Sequence, residues 1–176
     1  NGGRFMRELI EEVFASTLAN DDLDVRSDAA SLSLESPDIV FTTDGFTVQP
    51  LEFPGGDIGS LAVHGTANDL AVAGAIPRFL SLNAFIEEGT EVSLLKRVIG
   101  SLAEAAREVD LRVVTGDTKV LKRGEGGGIY LATTGIGTRD PGFDLDLAHI
   151  RDGDALIVSG PVGDHGISVL LAREEF

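Results

Sequence analysis

A chain of 176 residues holds one domain, or one domain and part of another, and 43% hydrophobic residues are enough for a sizeable core. Its 14 basic and 29 acidic residues give a formal net charge of -15, which argues against a nucleic-acid surface, and the absence of cysteine excludes disulfides, thiolate metal sites and a thiol nucleophile. No apolar run approaches the roughly 18 residues of a membrane span, and the charged start shows no signal-peptide core, so a cytoplasmic location is the default expectation.

Phe5, Leu9, Ile10, Val13 and Phe14 recur at helical spacing and predict a helix to about Leu18, closed by Asn20-Asp21-Asp22. Residues 29–34 and 38–43 read as two strands, a hairpin around Ser36-Pro37. A loop rich in Pro and Gly fills 50–56, and Asp57 is placed to cap the helix after it. That helix, 58–74, is apolar almost all round and is predicted to be buried on most sides, with Pro77 ending it. A strand over 79–86 leads to a cleaner amphipathic helix over 91–109. A strand over 113–120, a flexible hairpin loop over 124–128 and a returning strand over 129–136 follow.

Helices among hairpin-connected strands predict an α+β fold with a mostly antiparallel sheet. Pro141-Gly142 and the acidic run beyond mark a boundary. Past it, a strand (155–159), a loop (160–166) and a helix (167–174) read as the start of a second α+β domain, so the expected domains are 1–142 and 143–176.

The chemistry centres on Val113-Val114-Thr115-Gly116-Asp117-Thr118-Lys119-Val120. Gly116 lets the backbone approach a ligand closely. Asp117 and Lys119, two apart on a strand, share a side, so a carboxylate for a cation and an ammonium for a phosphate point into one place. The plainer alternative is a turn with a surface ion pair. Asp69 is a carboxylate inside an apolar helix, costly there unless paired or metal-bound, and Asn68 adds an amide beside it. Asp44 and Asp28 stand at predicted strand ends; alone, Asp44 reads as a turn acid and Asp28 as a connector acid. Together the four acids suit magnesium, which takes one or two carboxylates and leaves positions for water and phosphate. No P-loop or dinucleotide fingerprint occurs. His64, His149 and His165 read as helix, surface and cap residues, and Ser159 has no base in place.

Several motifs carry a resemblance. Gly2-Gly3-Arg4-Phe5-Met6, Thr43-Asp44-Gly45-Phe46, Phe53-Pro54-Gly55-Gly56-Asp57-Ile58-Gly59, Gly65-Thr66-Ala67-Asn68-Asp69-Leu70-Ala71, the Thr-Gly-Asp-Thr-Lys-Val string and Ser159-Gly160-Pro161-Val162-Gly163-Asp164-His165-Gly166 run in collinear order. They resemble the hydrogenase maturation proteins of the HypE family, within the PurM-like ATP-binding superfamily. The resemblance implies a PurM-like N-terminal domain with helices on one sheet face, a homodimer closing into a β-barrel, and ATP with Mg2+ in a cleft near that interface. It implies Asp44, Asp69 and Asp117 on magnesium and triphosphate, with Asp28 a further candidate, and Asn68, Thr115 and Gly116 at the nucleotide. Lys119 would contact phosphate or assist proton removal, making Lys119 and Asp117 the catalytic candidates.

The activity implied is ATP-dependent dehydration of a carbamoylated C-terminal cysteine to a thiocyanate, the source of the cyanide ligand of [NiFe] hydrogenase. HypF would supply the carbamoyl group and a HypC–HypD complex would receive the product. Three features depart from the family: no cysteine is present, most of the expected second domain is absent, and Ser27 stands where superfamily relatives carry the first acid of an Asp-Asp-Ala-Ala motif. The chain therefore reads as an N-terminal fragment that cannot complete the reaction alone. The alternatives are a small-molecule kinase of the thiamine-monophosphate kinase type and a non-catalytic dimerisation module.

Overall fold

The computed structural model describes residues 3–27, 29–139, 141–143 and 145–175. Asp28, one of the candidate ligands, lies outside them.

Helix α1 (Arg4–Leu9) runs into a π-helical turn, Ile10–Ala15, which buries Val13 and Phe14. The main sheet is built from β1 (Ile39–Phe46), β4 (Ala75–Glu87), β5 (Arg112–Leu121) and β6 (Ile129–Arg139). Two short strands, β2 (Glu52–Phe53) and β3 (Gly56–Asp57), form a separate ribbon. Helices α2 (Ile58–Val72) and α3 (Val92–Glu108) cover one face of the main sheet, and α4 (Asp164–Ala172) comes last.

The start of α2 is set locally. The Asp57 carboxylate accepts from the amides of Gly59 (2.7 Å) and Ser60 (2.9 Å), and the Ser60 hydroxyl accepts from the Asp57 amide (3.1 Å). This reciprocal cap satisfies donors that the first helical turn leaves unpaired. In that same first turn α2 crosses α3 so closely that a Cβ on Gly59 would stand 2.2 Å from the Val98 carbonyl oxygen. The core lies between these helices and the sheet: Ile58, Ala62 and Val63 from α2, Leu95, Val98, Ile99 and Leu102 from α3, and Leu80, Leu82, Ala84, Ile86 and Leu131 from the sheet.

The sheet order is β1-β6-β4-β5. β6 runs antiparallel to both β1 and β4, while β4 and β5 are parallel and joined through α3. The sheet is therefore mixed, and the expected hairpin of β5 with β6 is not formed: β6 crosses over to lie between β1 and β4. Composition gives the reason. β5 carries Arg112, Asp117 and Lys119, charges that suit an edge, whereas β6 is uncharged until Arg139 and alternates inward Ile129, Leu131 and Thr133. The connecting glycine loop is tied down as well. Glu87 accepts from the amides of Gly124 (2.7 Å), Gly126 (3.1 Å) and Gly128 (3.2 Å).

Three other expectations need correction. Residues 29–34 form no strand: β1 has β6 as its single ladder partner, and Ala29, Ala30 and Leu32 instead border a hollow with Phe79, Ser81 and Ile136 on the sheet face away from the helices. Residues 155–159 form no strand either; with no ladder neighbour, Leu156 and Ile157 stand 97% and 90% exposed. The last helix starts earlier than expected, at Asp164, which puts His165 within it. There the imidazole meets Phe53 edge-on at 5.3 Å, and Arg173 Nε donates to the Gln49 carbonyl (2.6 Å), so α4 leans on the β2–β3 ribbon.

Candidate functional site

The predicted residues fall into two groups. The first lies where β1 meets α2. Thr42 and Asp44 alternate on the helix-facing side of β1, and Gly65 and Asp69, four apart, share one side of α2. Thr42 Oγ1 donates to Asp69 Oδ2 at 3.1 Å. Gly65 faces Phe46 and Asp44: a Cβ there would lie 2.9 Å from the Phe46 ring and 3.8 Å from Asp44 Oδ2. Asp44 and Asp69 are thus diagonal neighbours across the strand–helix junction, and Asn68 sits exposed beside Asp69.

Asp69 is exposed, contrary to the expectation of a buried carboxylate. The buried stripe of α2 runs through Ile58, Gly59, Ala62, Val63, Thr66, Ala67 and Leu70, and Asp69 falls beside it. Ala71 and Val72, which made the helix look apolar all round, face outward; Val72 is 74% exposed.

The second group is on β5. Lys119 Nζ sits 2.7 Å from Asp117 Oδ2, so the shared side read from their spacing is present. This ion pair, with help from the Thr118 amide, holds the Asp117 carboxyl below the usual carboxylate range. Thr115, Gly116 and Asp117 border a cavity of about 130 Å³, whose floor is Ile10, Phe14, Leu82 and Val113 and whose rim includes Asp24 and Ser27. Asp24 did not stand out in the sequence, whereas Ser27 did, as the residue in place of a motif acid. Gly116 is needed for packing: a Cβ would stand 2.1 Å from the Leu82 carbonyl oxygen of β4.

Within one chain the two groups are apart. The ladder places Asp44 in the row Thr133, Leu82, Gly116, and Asp117 in the row Asn83, Ala132, Gly45. Thr133 is buried against α2, its hydroxyl bonded to that of Thr66, so the Asp44 row faces the helices and the Asp117 row faces away. Three strand spacings, roughly 14 Å, also separate β1 from β5. Among the described residues no three His, Asp or Glu side chains are grouped to hold a metal. Two exposed carboxylates, one of them bonded to the Thr42 hydroxyl, still fit magnesium, an ion that keeps waters and takes phosphate oxygens as its remaining ligands. Of the histidines, His64 lies 4.0 Å from Glu108 on the surface, His149 is in a single 3-10 turn, and His165 packs on Phe53.

A mixed four-stranded sheet covered on one face by two helices, with acids at its β1–α2 junction, defines a class. Residues 26–139 match the family described as AIR synthase related protein, N-terminal domain, and the chain belongs to that family. Within it, the chain is 49% identical over 174 residues to the carbamoyl dehydratase HypE of Azotobacter vinelandii, covering 99% of this chain and 51% of that protein. A crystal structure of the hydrogenase maturation protein HypE in complex with ATP superposes with a TM-score of 0.94 at 44% identity, over 100% of this chain and 52% of that one. A chain in the crystal structure of a HypE–HypF complex matches with a TM-score of 0.77 at 47% identity, over 96% of this chain and 54% of that one. The chain spans about half the length of the curated relatives it matches. No helix among the described residues is long and apolar enough to cross a membrane.

Proposed function

We propose that this chain is the nucleotide-binding part of an ATP-dependent carbamoyl dehydratase, converting a carbamoylated C-terminal cysteine to a thiocyanate for the cyanide ligand of [NiFe] hydrogenase. The observation that carries the reading is the junction that sets Asp44 beside Gly65 and Asp69, bonded to Thr42, one helical turn on, in a chain that matches a HypE–ATP complex over its whole length.

The chemistry has a physical logic. An amide oxygen is a poor leaving group. Its attack on the γ-phosphorus of ATP expels ADP and turns it into a phosphate ester. The carbon–oxygen bond then breaks, phosphate leaves, and the nitrogen gives up both protons as the nitrile forms. Asp44 and Asp69 would hold Mg2+, whose chemistry there would be to offset the charge of the phosphoryl group in transfer, and Asn68 lies beside them for the nucleotide. Lys119 contacts phosphate. An ammonium already held by Asp117 at 2.7 Å suits charge neutralisation better than proton removal.

The separation of the two groups calls for a second copy. β1 and β5 are both open edges of a four-stranded sheet, and edges with unpaired ladder groups invite another chain. Two sheets joined at both edges close into an eight-stranded barrel, with β1 of one copy beside β5 of its partner. In that homodimer β1 of one copy and β5 of the other are neighbours, so Asp44 and Asp69 on the helix side of that seam work with Asp117 and Lys119 of the partner on its other side. HypF as carbamoyl donor and a HypC–HypD complex as acceptor complete the route; support for the first is the relative solved with HypF.

The test uses the protein at its full natural length, carbamoylated on its terminal cysteine. Incubation with Mg2+ and ATP should remove one water from that residue by mass spectrometry, and Asp69→Asn should abolish the loss. Phosphate transfer to a small alcohol with no dehydration would refute the reading in favour of a small-molecule kinase.

A further inference from the structure

We propose that Thr42 is a positioning residue for the cation site, orienting Asp69 through its hydroxyl; the inference rests on the Mg-nucleotide reading above. Thr42 Oγ1 donates to Asp69 Oδ2 at 3.1 Å, across 27 residues of sequence. That bond engages one carboxylate oxygen and leaves the second outside the contact. The strand places Thr42 and Asp44 on the same side, so the hydroxyl fixes the Asp69 carboxylate relative to the Asp44 one.

The direction of the hydroxyl is itself determined. A β-branched side chain has few χ1 choices. The Thr42 methyl occupies space that exists because residue 135 is a glycine: a Cβ there would lie 3.3 Å from Thr42 Cγ2 and 2.6 Å from Thr66 Cγ2. With the methyl seated toward β6, the hydroxyl points to α2 and meets Asp69. Thr66 is held in turn, its hydroxyl bonded to the Ala62 carbonyl (2.9 Å) and to Thr133 (2.5 Å), so the wall behind Thr42 is rigid. Groups that orient a metal-binding side chain in this way commonly contribute 10- to 100-fold to metal affinity.

The test is calorimetric ATP binding by the protein at its full natural length, titrated with Mg2+, for the wild type and for Thr42→Val, Thr42→Ser and Asp69→Asn. Thr42→Val keeps the shape and the branching and removes the hydroxyl; Thr42→Ser keeps the hydroxyl. The Mg2+ concentration for half-maximal binding should rise about tenfold or more in Thr42→Val. It should stay near the wild-type value in Thr42→Ser, with thermal midpoints unchanged in both. An unchanged Mg2+ requirement in Thr42→Val, where Asp69→Asn loses binding, would overturn the positioning role and leave the site reading intact. Loss in Thr42→Ser equal to that in Thr42→Val would also overturn it, since the hydroxyl would then not be the active group. If Asp69→Asn binds Mg-ATP as the wild type does, the site reading fails and the role of Thr42 fails with it.

Discussion

Gly59 tests the packing that positions the site. Replacing it with alanine puts a Cβ 2.2 Å from the Val98 carbonyl oxygen, where non-bonded atoms need more than 3 Å. Neither atom belongs to a flexible side chain, so α2 and α3 must separate by about 1 Å along a contact lined by Ala62, Val63, Val98 and Leu102. Overpacking of this kind costs about 1–3 kcal/mol. Gly→Ala within a helix returns up to about 1 kcal/mol, so a net loss of about 1–2 kcal/mol is expected. The comparison is Gly100→Ala in α3, where an added Cβ meets nothing within 4 Å. That change should stabilise by about 0.5–1 kcal/mol. Urea unfolding of both variants, read as shifts of the midpoint at constant slope, makes the measurement. The reasoning is refuted if Gly59→Ala moves the midpoint upward as Gly100→Ala does.

Further outcomes follow from individual contacts. Asp57→Ala removes the two hydrogen bonds that the Asp57 carboxylate accepts at the α2 cap and should lower stability by about 0.5–2 kcal/mol, with Asp57→Asn close to wild type in thermal melts. Glu87 has a carboxyl lowered from its usual range by the amides of Gly124 and Gly128, then Gly126. A lowered folded value means that its contribution is complete above the ordinary glutamate range and is lost as pH falls through the folded value. Hydrogen-exchange protection of the 124–128 amides should therefore persist into mildly acidic solution and then drop, and Glu87→Gln should show reduced protection already at neutral pH. Protection independent of both pH and Glu87 would remove the loop clamp. Asp117→Asn breaks a half-exposed ion pair, so the thermal midpoint should barely move while Mg-ATP binding is lost; a large drop in stability would make Asp117 structural instead.

The parts legible in the sequence are those decided locally. Asp57 and Ser60 cap α2 from three residues apart, α3 shows a clean helical period, and Asp117 faces Lys119 because a strand repeats every two residues. Placement across the fold was less legible. Alternating Ser and Leu in 31–34 has the strand period, but alternation does not by itself make a ladder, and these residues pair with no strand although the β1 edge is open. β6 looked like a hairpin return because its loop is short and glycine-rich; the charges on β5 were the readable sign that β5 is an edge. Asp69 was misjudged because apolar Ala71 and Val72 lie on the outward face of α2, beside a stripe that stays buried as far as Leu70. The bond from Thr42 joins two motifs that no local pattern connects. The separation of Asp44 from Asp117 depends on strand order, which local periodicity does not carry.

The claim that matters most is that each site draws Asp69 from one copy and Asp117 from the other. Mixing Asp69→Asn with Asp117→Asn protein, each inactive alone, and counting Mg-ATP sites per chain after subunit exchange tests it directly. In a random mixture half the dimers are mixed, and each of those carries one site with both residues intact, so about a quarter of wild-type binding should return. A mixture that binds no more than either variant alone would place both acids in the same chain's site and contradict the account.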